Sequence, residues 1–282
     1  MDKLQPSSKS FENYIKLAFT YSSINLTQDQ LDLIEKLSII DDSILMIDDI
    51  LDDSQIRNGK PCYYKHHGIK KSIIDSQILY CEANEVILDL TKEFNTKENN
   101  VIIILKKLNS FMKNVYLGEK IDLELINIST FENELLEKYF EMIKLFTGSH
   151  ISYAFEIGLL LQNKELESNL KKIFTSLGII RQICDDFDDY FNFHHEPFGD
   201  FISSNNRLPE LLFKKNNGNR LQVLELLQKN DLKKARDLVL NDKVRYELYQ
   251  FCKKELDFCK SIKTNFNYEK LIEDFEKILT KK

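Results

Sequence analysis

The chain has 282 residues, of which 43% are hydrophobic and 30% charged, with a formal charge of −6 at pH 7. That length supports a sizeable apolar core, and the composition is that of an ordinary globular protein. An acidic balance without a basic stripe excludes nucleic acid as the expected partner.

None of the four prolines falls between Pro61 and Pro197, so long uninterrupted helices are expected there. Thr27, with Gln30 three residues on, forms a capping-box pattern at a helix start. From there Leu31, Ile34, Leu37, Ile40, Ile44, Ile47 and Leu51 recur at three- and four-residue steps, the period of a helix with one buried stripe. Further helices are predicted at 69–95, 98–118, 131–162, 165–192, 207–215, 220–230, 231–239, 243–261 and 267–280. Turn residues separate them, as in "RNGKP", "HHG", "TKENN", "HHEPFGD" and "KKNNGN". Strand-like alternation is scarce, and no composition shift or repeat marks a boundary. A single all-α domain over 1–282 is expected.

The five cysteines, at 62, 81, 184, 252 and 259, form no CxxC pair, which fits free thiols in a reducing compartment. "MDKLQPSSKS" has no apolar signal core, no stretch reaches the ~20 apolar residues of a membrane span, and "LTKK" matches no lipidation box. A soluble, cytoplasmic protein is expected.

Two stretches carry the chemistry. "IDDILDDSQIRNGKP" at 47–61 crowds aspartates beside apolar residues, and "QICDDFDDYF" at 182–191 repeats the pattern. Asp48, Asp49 and Asp52 have i, i+1, i+4 spacing, as do Asp185, Asp186 and Asp189, so each set projects from one helix edge. One reading is two solvated acidic faces. The other is a paired site in which hard Mg²⁺ ions relieve the like-charge repulsion and bind a diphosphate. Glu119 and Asp122 in "GEKIDL" fit structural capping or substrate contact equally, and the two histidine pairs read as surface. Most of the 19 phenylalanines and 12 tyrosines are expected in or near the core.

The sequence resembles the trans-isoprenyl diphosphate synthases, nearest to the geranylgeranyl diphosphate synthases. "DDILDDSQIRNGKP" resembles DDxxD followed by RRGxP, and "LGIIRQICDDFDDYF" resembles the second aspartate-rich motif. "YLGEKIDL", "EKYFEMIKLFTGSH" and "FGDFISSNNRLPELL" resemble the GQGLD, YxxMxxxKTGGLF and DLTEGKFSFP elements, in the same order. The resemblance implies an all-α bundle around a deep central cavity, usually as a homodimer. It implies three Mg²⁺ ions held by Asp48, Asp49, Asp52, Asp185, Asp186 and Asp189, which ionise an allylic prenyl diphosphate. Arg57, Gln182, Lys9, Thr147 and Arg207 are implied substrate contacts. Ser43, five residues before Asp48, lies where bulky residues shorten the product.

The departures concentrate where the family grips isopentenyl diphosphate. Glu12, Asn58, Tyr64, Phe146 and Asn205 stand where the resemblance calls for arginine, arginine, histidine, lysine and lysine. Replacing an arginine by a glutamate turns attraction for a second diphosphate into repulsion. The expected activity is therefore that of a terpene synthase, releasing pyrophosphate from a C10–C20 substrate. Chain elongation with isopentenyl diphosphate is the alternative, and a non-catalytic regulatory subunit is a third reading.

Overall fold

The computed structural model describes residues 11–57, 59–125, 133–191, 198–264 and residue 273. Helix α1 spans Phe11–Tyr21 and α2 spans Gln28–Glu35. Thr27 caps α2 as predicted: its side chain accepts from Gln30 N, and the Gln30 side chain accepts from Thr27 N. The single helix expected to run on to Leu51 is interrupted by a 3₁₀ turn at Lys36–Ser38, after which α3 runs Ile39–Leu51. The tighter turn re-aims the chain without losing the stripe, since Ile34, Leu37 and Ile40 are all fully buried.

After α3 comes a hairpin with no alternation to announce it. β1 (Ile56–Arg57) pairs antiparallel with β2 (Lys60–Pro61), placing Arg57 opposite Lys60. Gly59 takes φ +74° at the turn, a conformation glycine adopts without a Cβ clash. A short α4 (Tyr63–His67) leads into α5 (Ile69–Glu93) and α6 (Glu98–Leu125). The helix predicted to stop at 118 continues past Gly118, which carries Glu119 and Asp122 inward on a helix face.

The stretch predicted as one helix over 131–162 is α7 (Asn133–Ile143) and α8 (Ser149–Leu161), joined by a π-helical turn at Lys144–Gly148. Then follow α9 (Ser168–Asp188), α10 (Gly199–Ser203), α11 (Leu208–Lys215), α12 (Arg220–Gln228), α13 (Leu232–Val239) and α14 (Asp242–Ser261). The helix predicted at 267–280 lies, apart from residue 273, outside the described residues.

Helix α8 is the hub, because it is apolar almost all round. Ile151, Ala154, Phe155, Ile157 and Leu161 are buried among α1, α6 and α9. Fully burying a side chain of that size contributes about 1.5–3 kcal/mol. At Gly158 an added Cβ would lie 2.6 Å from Ala18 Cβ, so glycine is what lets α1 lie against the hub. Helix α9 packs against α14 on one side and the π turn on another, while α3 packs on α5. Among the described residues no helix is long and apolar enough to cross a membrane.

Candidate active site

The last turn of α3 carries the first cluster. Asp49 points inward and is buried, Asp48 is partly exposed, and Asp52 is the residue that ends the helix. The chain then reverses through Asp53 at φ +52° and enters the hairpin. That reversal returns Arg57 to the aspartates: its Nε donates to Asp49 Oδ1 at 2.6 Å and its Nη2 to Asp48 Oδ2 at 2.5 Å. The hairpin thus holds a guanidinium fork against two adjacent carboxylates. Asn58, the next position of the motif, lies outside the described residues.

The last turns of α9 carry the second cluster in the same register. Asp186 is buried, and Asp189 ends the helix. Asp186 Oδ2 accepts from Tyr139 Oη at 2.5 Å and from Leu208 N at 3.4 Å, and its Oδ1 accepts from Gln182 Nε2 at 2.9 Å. Thr147 Oγ1 in turn donates to Gln182 Oε1 at 2.6 Å. The π turn delivers Thr147, and Gly178 sets its distance, because a Cβ there would stand 2.5 Å from Thr147 O. Asp185 Oδ1 lies 2.9 Å from Arg181 Nη2, one turn earlier on α9.

Arg207, at the start of α11, joins the two clusters. Its Nη1 donates to Asp122 Oδ1 at 2.5 Å; Nη2 lies 3.7 Å from Asp52 Oδ2 and Nε 3.5 Å from Asp200 Oδ1. Its charge also acts on Asp186 and Asp189. Asn205 Nδ2 bridges Asp200 Oδ1 at 3.1 Å and Asp52 Oδ1 at 3.5 Å. Arg220 holds this segment from outside, donating from Nη2 to Phe201 O at 2.6 Å and Ser204 Oγ at 2.7 Å.

So much buried acid around so few cations raises the carboxyl pKa values. Burial, reinforced by Asp48, pushes Asp52 up to about 8 and Glu119 up to about 9. Burial, reinforced by Asp200, pushes Asp189 up to about 7. Burial raises Asp186 to about 6 although Arg207 and Tyr139 pull it down. Asp189 Oδ2 is buried without a hydrogen-bond partner among the described residues. Under-compensated oxygen donors of this kind fit a hard dication such as Mg²⁺. Among the described residues no three carboxylate, histidine or cysteine side chains form a metal cage by themselves. Mg²⁺ does not require one, since it takes one or two carboxylates and completes its shell with water and phosphate oxygens.

Other expectations fare unevenly. Ser43 is fully buried and sealed onto α5, its Oγ donating to Ser76 O at 2.9 Å, so it faces a helix seam. Phe146 packs on the bare face of Gly118, where an added Cβ would sit 3.1 Å from the ring. Lys9 and one histidine pair, His194 and His195, lie outside the described residues; His66 and His67 are exposed on α4. Glu119 and Asp122 are not helix caps; both are buried on α6 beside the first cluster. The sequence reading passed over Tyr139, Arg181 and Asp200. Each carried a signal: Arg181 stands four residues before Asp185 on the same helix edge, and Tyr139 and Asp200 stand at the Y of YxxMxxxKTGGLF and the D of DLTEGKFSFP in the segments that resemble those elements.

The sequence profile of the polyprenyl synthetase family matches residues 6–237. A short chain isoprenyl diphosphate synthase from Methanocaldococcus jannaschii is 30% identical over 157 residues, 54% of this chain and 45% of that protein. An IDS-like terpene synthase from Melampsora lini is 29% identical over 142 residues, 50% of this chain and 42% of that protein. The matched stretches therefore span less than half the length of these curated relatives. A polyprenyl synthase from Caulobacter crescentus, solved with calcium and isoprenyl diphosphate, superposes with a TM-score of 0.73 at 20% identity, covering 95% of this chain and 82% of that one. That likeness establishes a shared all-α bundle fold. With the profile covering most of its length, the chain belongs to the polyprenyl synthetase family.

Proposed function

We propose that the chain binds an allylic prenyl diphosphate with Mg²⁺ across its two aspartate clusters and ionises it, releasing pyrophosphate. We further propose that the cation is quenched without isopentenyl diphosphate, as in a terpene synthase. The observation that carries the first step is Arg207, 3.7 Å from Asp52 of the first cluster and with a charge that pulls down the pKa values of Asp186 and Asp189 of the second. Asp48, Asp52, Asp185 and Asp189 are the side chains that would hold the metal, three ions by family expectation. Asp49 and Asp186 are turned inward, tied to Arg57 and to Tyr139 with Gln182. Bound Mg²⁺ would supply the positive charge that draws electrons into the leaving diphosphate. Arg57 and Arg207 can exchange carboxylate oxygens for phosphate oxygens of the same geometry.

The acceptor side supports quenching over elongation. Glu12 stands in the first turn of α1, and Asp41 Oδ2 accepts from Phe11 N at 2.8 Å, so that end of the helix already carries acid. A second diphosphate there would meet repulsion. The Melampsora relative, named a terpene synthase, agrees with this reading. Chain elongation is the second reading, favoured by the family and by the Methanocaldococcus relative. A second copy of the chain is the expected partner, since Ile73, Ile74 and Ile78 on α5 and Leu117 and Leu123 on α6 are exposed.

Purified protein with Mg²⁺ and geranyl, farnesyl or geranylgeranyl diphosphate is expected to release pyrophosphate and a cyclic hydrocarbon or alcohol without isopentenyl diphosphate. Gas chromatography identifies the product. Turnover confined to mixtures containing isopentenyl diphosphate would transfer the assignment to elongation.

A further inference from the structure

Glu119 is a buried acid that none of the chain's own cations takes up. It stands on the inward stripe of α6, 6% exposed, three residues before Asp122. That i, i+3 spacing puts the two carboxyls side by side, with Cβ atoms about 5–6 Å apart. Asp122 has its partner: Oδ1 accepts from Arg207 Nη1 at 2.5 Å, and Nη2 of the same guanidinium lies 3.7 Å from Asp52 Oδ2. Glu119, by contrast, makes no hydrogen bond and no ion pair among the described residues. Asp48, Asp122 and Asp52 act on it with like charge, and Arg207, shared among Asp122, Asp52 and Asp200, opposes them more weakly.

A carboxylate taken out of water has to be met by hydrogen-bond donors, a cation or a proton. Donors are absent, and the cationic side chains of the site are engaged: Arg57 forks onto Asp48 and Asp49, and Arg207 donates to Asp122. A proton alone would leave a neutral acid that glutamine could replace without loss. A dication is the partner that compensates Glu119 together with the aspartates of α3. The glutamate stem, one methylene longer than that of aspartate, gives α6 the reach. Asp48, Asp52 and Glu119 form no closed cage while the two arginines lie against the aspartates. Exchange of those guanidinium contacts for phosphate oxygens frees them, and Mg²⁺ fills its remaining positions with water and phosphate.

We propose that Glu119 is a further metal ligand of the first cluster, placing its carboxylate in the coordination shell of the Mg²⁺ held by Asp48 and Asp52. This rests on the reading that the aspartate clusters bind Mg²⁺ with a diphosphate. It makes the two sides unequal, with three ligating carboxylates from α3 and α6 facing Asp185 and Asp189 of α9.

The test uses the full chain and Mn²⁺, a stand-in for Mg²⁺ visible to electron paramagnetic resonance, titrated in the presence of pyrophosphate. Glu119→Gln is expected to weaken Mn²⁺ binding by at least about 10-fold, the loss that removing even an outer partner of a metal ligand brings. In chelator the same variant should melt no earlier than wild type, because the unpaired buried carboxyl is gone, and the rise in Tm on adding Mg²⁺ should shrink. Unchanged Mn²⁺ affinity overturns the proposal. So does a variant that melts earlier in chelator or fails to fold, which would make Glu119 a structural acid. With farnesyl diphosphate, Glu119→Gln should raise the Mg²⁺ concentration giving half-maximal rate, while KM for the diphosphate at saturating Mg²⁺ stays within about twofold. A raised KM with unchanged Mg²⁺ dependence makes Glu119 a substrate contact and overturns the ligand assignment. The titrations contain no prenyl diphosphate, so the two readings fail separately. A chain that neither ionises nor elongates, yet loses Mn²⁺ in Glu119→Gln, keeps the ligand and loses the ionisation. Wild-type protein that binds no Mn²⁺ with pyrophosphate overturns both.

Discussion

The two aspartate clusters share one spacing and one division of labour, yet they are neutralised in different ways. In each, the second aspartate of the pair turns inward and the last one ends its helix. Asp49 meets a full positive charge, the Arg57 fork, delivered by a hairpin. Asp186 meets a hydroxyl, an amide and a backbone N–H, delivered by α7, α9 and the start of α11. The first cluster can therefore release its partner to a phosphate, since Arg57 is half-exposed on a short hairpin. The second is built into the core, and its partners have nowhere to go. The difference separates a side that grips from a side that holds still.

The largest effect should come from the helix-ending aspartates. Asp52→Asn and Asp189→Asn are each expected to cut the rate of pyrophosphate release by about 10³-fold, measured at saturating Mg²⁺. Losses of similar size make the clusters equal partners in metal binding; full activity in both would remove the helix-ending aspartates from the metal site. Next is Arg207, the buried cation between them. Arg207→Gln should destabilise the metal-free protein by about 3–5 kcal/mol in urea unfolding, because several buried carboxylates lose their counter-charge. Added Mg²⁺ should recover part of that loss. Tyr139→Phe should cost about 1–3 kcal/mol by leaving a buried oxygen of Asp186 short of a donor. Arg57→Gln, at the more exposed cluster, should cost less stability but weaken diphosphate binding, so paired melts and KM values sharpen the contrast.

The smallest effect is a slope. Asp52, Asp189 and Glu119 carry folded pKa values of about 8, 7 and 9, all above those of exposed carboxyls. The folded metal-free protein therefore binds protons that the unfolded chain has lost, and stability should fall as pH rises from about 4 towards 9. Mg²⁺ takes the place of those protons, so melts recorded with the metal should show a flatter profile than melts recorded with a chelator.

Much of this site was legible before folding, because helix period and i, i+4 spacing are local properties. The Thr27 cap, the α9 register and both aspartate edges follow from neighbours in the chain. Breaks in the helices were not legible. Lys36–Ser38 contains no residue that ends a helix by itself, and Gly148 at the end of Lys144–Gly148 does not announce a π turn; packing imposes both turns. Nor was the run of α6 past 118 legible: Gly118 stays within the helix at a cost of only about 1 kcal/mol and admits the Phe146 ring. Partnerships across long separations were equally hidden. Asp122 and Arg207, or Tyr139 and Asp186, show no sign of each other until the bundle closes around them.

The contact at Gly178 has a consequence for anyone wishing to retune the product. Because α9 rests there on naked backbone, with Thr147 O and Gly148 at sub-van-der-Waals range of any added carbon, the seam has no slack. A methyl group would prise the helix from the turn and spoil the Thr147–Gln182–Asp186 relay in one stroke. Variation in this chain has to be sought on other walls, and the seam at 178 is the fixed datum from which they can be measured.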